Sequence, residues 1–152
     1  MAAIQPGERA PDFTLPAHDG RDITLSTLLQ KSAVVLFFYP KDDTPGCTKE
    51  ACSFRDTFED FTALGATVVG ISSDPPDSHR RFVDKYHLPF ILVSDTGGSV
   101  RTAYRVPKTL FIRPGRTTFV IDRNGIVRMA FTHARNAERH VREALAVVRQ
   151  GL

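Results

Sequence analysis

The chain has 152 residues, 41% hydrophobic and 24% charged, which suits one domain with a buried core of its own. No apolar run approaches the roughly 20 residues that span a bilayer, and two cysteines are too few for a disulfide scaffold. The net charge of +3 hides an imbalance, because residues 101–152 carry 11 Lys/Arg against 3 Asp/Glu; these basic residues are scattered singly, as on a solvated face and not as in a nucleic-acid motif.

Met1 to Glu8 lacks a basic n-region and an apolar h-region, so no signal peptide is expected and the expected compartment is the cytoplasm. Phe13-Thr14-Leu15 and Asp22-Ile23-Thr24-Leu25 flank His18-Asp19-Gly20-Arg21 and predict an N-terminal β-hairpin. Ala33–Phe38 is a continuous apolar run, the mark of a strand buried on both faces. From Gly46 to Leu64, the residues Ala51, Phe54, Phe58, Phe61 and Leu64 recur at three and four positions and predict one amphipathic helix, ended by Gly65. Thr67–Ser72 reads as a second buried strand, and Ser73-Asp74-Pro75 supply caps and an N-terminal proline for a helix running to about Tyr86.

Phe90–Val93 is a short strand, Gly97-Gly98 a turn, Val100–Tyr104 a short helical stretch and Pro107–Gly115 an irregular connection. Thr117–Ile121 and Ile126–Phe131 flank Asp122-Arg123-Asn124-Gly125 as a second hairpin. Val141, Ala144, Leu145 and Val148 form the stripe of a last helix, closed by Gly151. Alternating strands and helices require crossovers, hence an α/β protein whose central mixed sheet is flanked by helices, in a single domain over residues 1–152.

Cys47 and Cys52 are the only cysteines. A helix starting near Pro45-Gly46 puts Cys47 in its first turn, where unpaired N–H groups and the positive end of the macrodipole favour a thiolate. Thr44 and Thr48 offer hydroxyls beside it, and Pro40 and Pro45 restrict the loop and its water. An inert buried cysteine would suit the same strand–helix junction. Five helical residues rise about 7.5 Å, beyond the roughly 4.4–6.8 Å between the Cα atoms of a disulfide. Cys47 and Cys52 therefore meet only if the first turn or two unwinds; otherwise Cys52 is simply a small apolar helix residue. One activated sulfur and one reached by movement point to redox chemistry with a conformational step, and in a reduced chain both should be helical and apart.

His18, His79, His87, His133 and His140 are scattered without the spacing of a metal motif, so no metal site is predicted. Asp42-Asp43 reads as a loop pair facing water, and Gly97-Gly98 lacks the Gly-Lys-Ser/Thr of a phosphate loop.

The segment from Phe38 to Cys52 resembles the active-site region of peroxiredoxins, and more narrowly that of their bacterioferritin-comigratory, or Q-type, subfamily. The Pro-x-x-x-Thr-x-x-Cys signature falls on Pro40, Thr44 and Cys47, and the subfamily's resolving position, five residues on, falls on Cys52. Similarity extends through Gly7–Phe13, Gly70-Ile71-Ser72 and Arg116–Asp122 over nearly the whole chain. The resemblance implies a thioredoxin-like fold and thiol-dependent reduction of hydrogen peroxide and organic hydroperoxides. It makes Cys47 the peroxide-attacking sulfur and Cys52 its partner in an intramolecular disulfide, recycled by thioredoxin or a similar dithiol.

The family's catalytic arginine maps to Arg116, a guanidinium suited to a thiolate and to a peroxide oxygen gaining charge. Thr44 is implied to hold peroxide and thiolate by hydrogen bonds, Pro40 to shield them, and Glu50 to bond backbone or arginine. Thioredoxin-superfamily reductases usually carry a proline where this chain has Arg116, and a C-x-x-C pair; neither is present, which separates a peroxidase from a disulfide reductase. No cofactor, nucleic acid or membrane is implied, and a monomer is expected because resolution within one chain needs no partner subunit. One departure is a Tyr104–Arg116 connection shorter than in many members, without an aromatic-rich insertion. Two competing readings are a redox-sensing or chaperone-like binding protein, marked by oxidation without turnover, and a nucleic-acid-associated protein, marked by salt-dependent DNA retention.

Overall fold

A computed structural model of the chain describes residues 3–107, 116–134 and 136–152. The connection expected over Pro107–Gly115 lies, apart from Pro107, outside the described residues. Strands β1 (Thr14–Pro16) and β2 (Asp22–Thr24) form the N-terminal antiparallel hairpin as a two-stranded sheet of its own. Leu25 does not extend β2 but opens a short helix, α1 (Leu25–Leu29). Its cap is remote in sequence: the Asp12 carboxylate accepts from Ser26 N at 2.9 Å and from Ser26 Oγ at 2.8 Å, so local pattern reading has no start signal to find.

The central sheet contains β3 (Ala33–Phe38), β4 (Ala66–Ser72), β5 (Ile91–Ser94), β6 (Thr117–Ile121) and β7 (Val127–Thr132), in the order β5-β4-β3-β6-β7. The first three run parallel through helical crossovers, and β6 and β7 are antiparallel additions. The remaining helices are α2 (Pro45–Asp56), α3 (Phe58–Ala63), α4 (Pro76–Tyr86), α5 (Ser99–Ala103) and α6 (Ala137–Arg149). Among the described residues no helix is long and apolar enough to cross a membrane.

The single helix expected over Gly46–Leu64 is thus two. At Thr57 the backbone leaves the helix (φ −107°, ψ 5°), and its hydroxyl donates to the Ser53 carbonyl, a local bond that competes with helical pairing. Ala51, Phe54 and Phe61 stay buried across the break, whereas Leu64 is 45% exposed. Ser73 and Asp74 do not cap α4; Pro75 is its N-cap, and the Asp74 carboxylate turns back to Ser72 and Asp42.

Alternation along β3 builds two cores. Val34, Leu36 and Phe38 face a cluster with Ile4, Phe13, Leu25 and Tyr104, while Val35, Phe37 and Tyr39 face one with Phe54, Phe61, Phe82 and Val141. The Phe37 ring stacks on Phe54 at 4.5 Å between centroids and docks α2 on the sheet. Gly70 in β4 makes room for that ring, because a Cβ there would lie 2.7 Å from Phe37 Cζ and 2.6 Å from Leu92 Cδ2.

Candidate active site

Strands β3, β4 and β5 end at one sheet edge, where β6 begins, and their loops deliver Asp42, Asp74 and Asp95 to it. Crevices at the carboxyl ends of parallel strands are where open α/β sheets place their chemistry. Phe38 pairs with Thr117, so the residue before Thr117 reaches this edge beside Tyr39. That residue is Arg116, which register brings across the sequence to the start of α2.

Cys47 is buried at 1% exposure in the first turn of α2, with Thr44 as N-cap. Arg116 Nη2 donates to Cys47 Sγ at 3.4 Å, and Arg116 Nη1 donates to Glu50 Oε1 at 2.5 Å. Burial opposes the charge of Arg116, but the Glu50 and Cys47 charges outweigh it and push its pKa up. Gly46 lets the guanidinium come this near: a Cβ there would sit 3.1 Å from Nη2. Arg101 adds a second guanidinium within electrostatic reach of Cys47, its Nη2 donating to Tyr39 O at 3.0 Å.

Glu50 is fully buried, and desolvation pushes its pKa up to about 7 despite the adjacent Arg116. Its Oε2 lies 3.5 Å from His140 Nδ1 on α6. His140 Nε2 is 2.8 Å from the His133 carbonyl and must donate to it, while Nδ1 is 2.8 Å from the Thr118 hydroxyl and accepts. Burial pulls the His140 pKa down to about 4, so the imidazole is neutral at neutral pH.

The loop before Cys47 is tied to α4 by both of its acids; Asp43 is exposed, as expected, but Asp42 is not. Asp42 is buried: its Oδ1 accepts from Tyr39 OH at 2.5 Å, its Oδ2 accepts from Ser78 Oγ at 2.8 Å and lies 2.7 Å from His79 Nδ1. Burial and the Asp42 charge hold the Tyr39 phenol protonated, well above its usual range. Asp43 takes a left-handed backbone (φ 58°) and turns outward to Lys85 Nζ and Tyr86 OH, each at 2.8 Å. Ligand atoms of Asp42, Asp74 and His79 lie within 4.8 Å of one another, the donor set of a small cation site. They are already engaged, Asp74 Oδ2 by Ser72 Oγ and the Asp42 N–H, and His79 Nε2 by the Val93 carbonyl. A cation would have to displace the Tyr39, Ser78 and Ser72 hydroxyls.

The structure therefore brings Cys47 and Arg116 into contact and adds Glu50 between Arg116 and His140. The Thr44 hydroxyl donates to Lys41 O at 3.0 Å, turned back along its own loop, and Pro40 is half-buried at the end of β3. Cys52 is a free thiol, half-buried and helical like Cys47. His140 was missed by sequence reasoning, although it stands four residues before Ala144 on the buried stripe of α6, where an ionisable side chain is itself a signal.

Residues 6–130 match the AhpC/TSA family. The chloroplastic peroxiredoxin Q of Populus jackii is 46% identical over 149 residues, which cover 97% of this chain and 70% of that one. The crystal structure of peroxidoxin BcpB from Mycobacterium tuberculosis superposes with a TM-score of 0.91 at 38% identity, over 98% of this chain and 99% of that one. The bacterioferritin comigratory protein of Xanthomonas campestris gives 0.84 at 29% identity, over 98% of each chain. A thioredoxin-like sheet with these relatives and a buried Cys–Arg pair at its edge defines a thiol-dependent peroxidase. Within that class the chain belongs to the AhpC/TSA family, in its peroxiredoxin Q, or bacterioferritin-comigratory, branch.

Proposed function

We propose that this peroxidase reduces hydrogen peroxide and organic hydroperoxides with Cys47 as the attacking thiolate and Cys52 as the resolving thiol. The observation that carries the reading is the 3.4 Å contact from Arg116 Nη2 to the buried Cys47 Sγ at a helix N-terminus. A fixed cation and unpaired helix N–H groups there stabilise a thiolate before attack and the departing oxygen during it. Alkyl peroxide reduction activity is ascribed to the Xanthomonas campestris relative, which supports organic hydroperoxides as substrates here.

The Cys47 thiolate attacks the terminal peroxide oxygen: an S–O bond forms, the O–O bond breaks, and the leaving oxygen takes a proton to give water or an alcohol. In this reading the Thr44 hydroxyl leaves Lys41 O to bond the peroxide, and Pro40 shields the sulfur, the roles the family resemblance implies. Cys52 then attacks the sulfenic acid, releasing water and forming the disulfide. A regular α2 holds residues 47 and 52 about 7.5 Å apart along its axis, so this step requires unwinding from Gly46 to Cys52. The moving segment is bounded by the Asp42 and Asp43 tethers to α4 and by Phe54 stacked on Phe37. A dithiol such as thioredoxin returns both thiols by exchange. Because both sulfurs lie on one helix, the cycle needs no second subunit, and the working unit is a monomer.

The test is peroxide consumption with thioredoxin and its reductase. Cys47→Ser should abolish turnover, and undiminished turnover would sink the mechanism. Cys52→Ser should be oxidised once and then stall; cycling at the parental rate would remove Cys52 from the resolving role.

A further inference from the structure

We infer that Glu50 and Cys47 share one proton across Arg116, with Glu50 holding it on Oε2 whenever Cys47 is a thiolate. This rests on Cys47 being the reacting thiolate, as proposed above. Both acids are buried, and one guanidinium bonds both, Nη2 to Sγ at 3.4 Å and Nη1 to Oε1 at 2.5 Å. One cation neutralises one of them, and ionising both leaves a net charge in the interior, where charge is strongly disfavoured.

Among the described residues, the surrounding elements do not supply a further cation. From α5, Arg101 reaches Cys47, but it shares its charge with the buried Asp95, which accepts from the Val100 and Arg101 N–H groups. From α6, His140 is a neutral imidazole, and His133 meets it through a backbone carbonyl. From β6, Thr118 offers a hydroxyl; from the end of β3, Tyr39 is a neutral phenol, and the loop's Asp42 is bonded to Tyr39, Ser78 and His79. Among the described residues three acids, Cys47, Glu50 and Asp95, thus stand on two guanidiniums, and one proton restores neutrality.

The geometry also says where that proton sits. Glu50 Oε2 is a buried oxygen with no hydrogen-bond partner among the described residues. It lies 3.5 Å from His140 Nδ1, the nitrogen without hydrogen, which also takes the Thr118 hydroxyl. The one lone pair of that nitrogen is taken by the Thr118 hydroxyl, so no donor among the described residues meets Oε2: a bare carboxylate oxygen would keep its charge buried and unpaired, and a proton on Oε2 removes it. Burial itself pushes the Glu50 pKa up to about 7, which favours a proton on this carboxyl.

The two ionisations are then coupled and belong to the pair. Oxidising Cys47 to a neutral sulfenic acid frees Arg116 for Glu50, so Oε2 releases its proton to solvent while the leaving oxygen takes one up from solvent. Thiolate and carboxylic acid before the reaction, sulfenic acid and carboxylate after it, balance the peroxide's conversion to alcohol without a net proton from solvent. Glu50 acts through Arg116 and is a positioning residue, not a catalytic one.

Infrared spectroscopy of the full-length reduced chain reads the proton directly. A carboxylic-acid C=O band should be present in the parent near neutral pH, absent in Glu50→Gln, lost in Cys47→Ser, and bleached when peroxide oxidises Cys52→Ser. A band that survives in Cys47→Ser or in Glu50→Gln overturns the proposal. Ultraviolet thiolate absorbance gives a second readout in Cys52→Ser. Adding Glu50→Gln, which keeps the bond to Arg116 but cannot take the charge, should raise the thiolate fraction at mildly acidic pH by up to about tenfold. A merely structural Glu50 would leave that fraction unchanged or lower it, and either result overturns the proposal. Neither measurement uses turnover, so peroxide consumption by Cys47→Ser separately tests the reading beneath it.

Discussion

Glu50→Gln should expose a pH dependence of stability that the parent protein conceals. The folded chain holds the Glu50 pKa at about 7 against 4.5 for an ordinary carboxyl. A group whose folded pKa is raised contributes stability that is fully present below its unfolded pKa and is lost as pH rises through the folded value. For Glu50 that loss spans roughly pH 4.5 to 7 and amounts to about 3 kcal/mol. His140, held at about 4 against 6.5, has the opposite slope: the folded state refuses a proton that the unfolded chain accepts, so stability falls as pH drops from 6.5 toward 4.

Between about pH 7 and about pH 5 the first group adds about 2 kcal/mol and the second removes about 2 kcal/mol, so the parent is nearly flat. Glu50→Gln removes the first term only. Urea unfolding of the reduced proteins should therefore show the variant losing about 2 kcal/mol on acidification, a fall in midpoint of about 1 M at ordinary urea slopes. Parallel pH profiles for parent and variant would refute the opposed burial of these two groups.

Other substitutions test the remaining parts. Gly46→Ala puts a methyl 3.1 Å from Arg116 Nη2; the guanidinium should yield, and the rate of Cys47 oxidation by peroxide in stopped flow should fall about tenfold with far-UV circular dichroism unchanged. Asp42→Ala leaves His79, Tyr39 and Ser78 without their buried acceptor and should cost about 3–5 kcal/mol in urea unfolding, whereas Asp43→Ala, at the exposed tether, should cost far less. Gly70→Ala drives a Cβ into Phe37 and Leu92 at 2.7 and 2.6 Å; a loss of about 1–3 kcal/mol is expected, and an unchanged melting temperature would contradict the packing described.

Period and punctuation were enough to read most elements, because Val35 and Phe37 against Leu36 and Phe38, or Ala144 against Val148, carry their burial in local spacing. The failures share a cause. Thr57 breaks a helix whose apolar stripe runs on past it, and α1 is capped by Asp12 from fourteen residues upstream, so neither boundary is written where it falls. The burial of Asp42 is hidden for the same reason: its partners Ser78 and His79 arrive on a helix that only the β4 crossover brings alongside, while Asp43 stays exposed beside Lys85 and Tyr86.

The candidate site divides on the same line. Cys47 was legible because its strand–helix junction is local, and Glu50 stands three residues further along the same helix, within reach of any reading that asks what one turn places beside a thiolate. Arg116 came from family resemblance, since no spacing relates it to Cys47; it arrives there through one antiparallel pairing, Phe38 with Thr117. His140 is tied to Glu50 through a third element, and nothing on α2 hints at it. Chemistry at this sheet edge is assembled by register, so the residues that tune Cys47 are the ones least visible along the chain. They are also the ones whose substitution should change proton affinity more than fold.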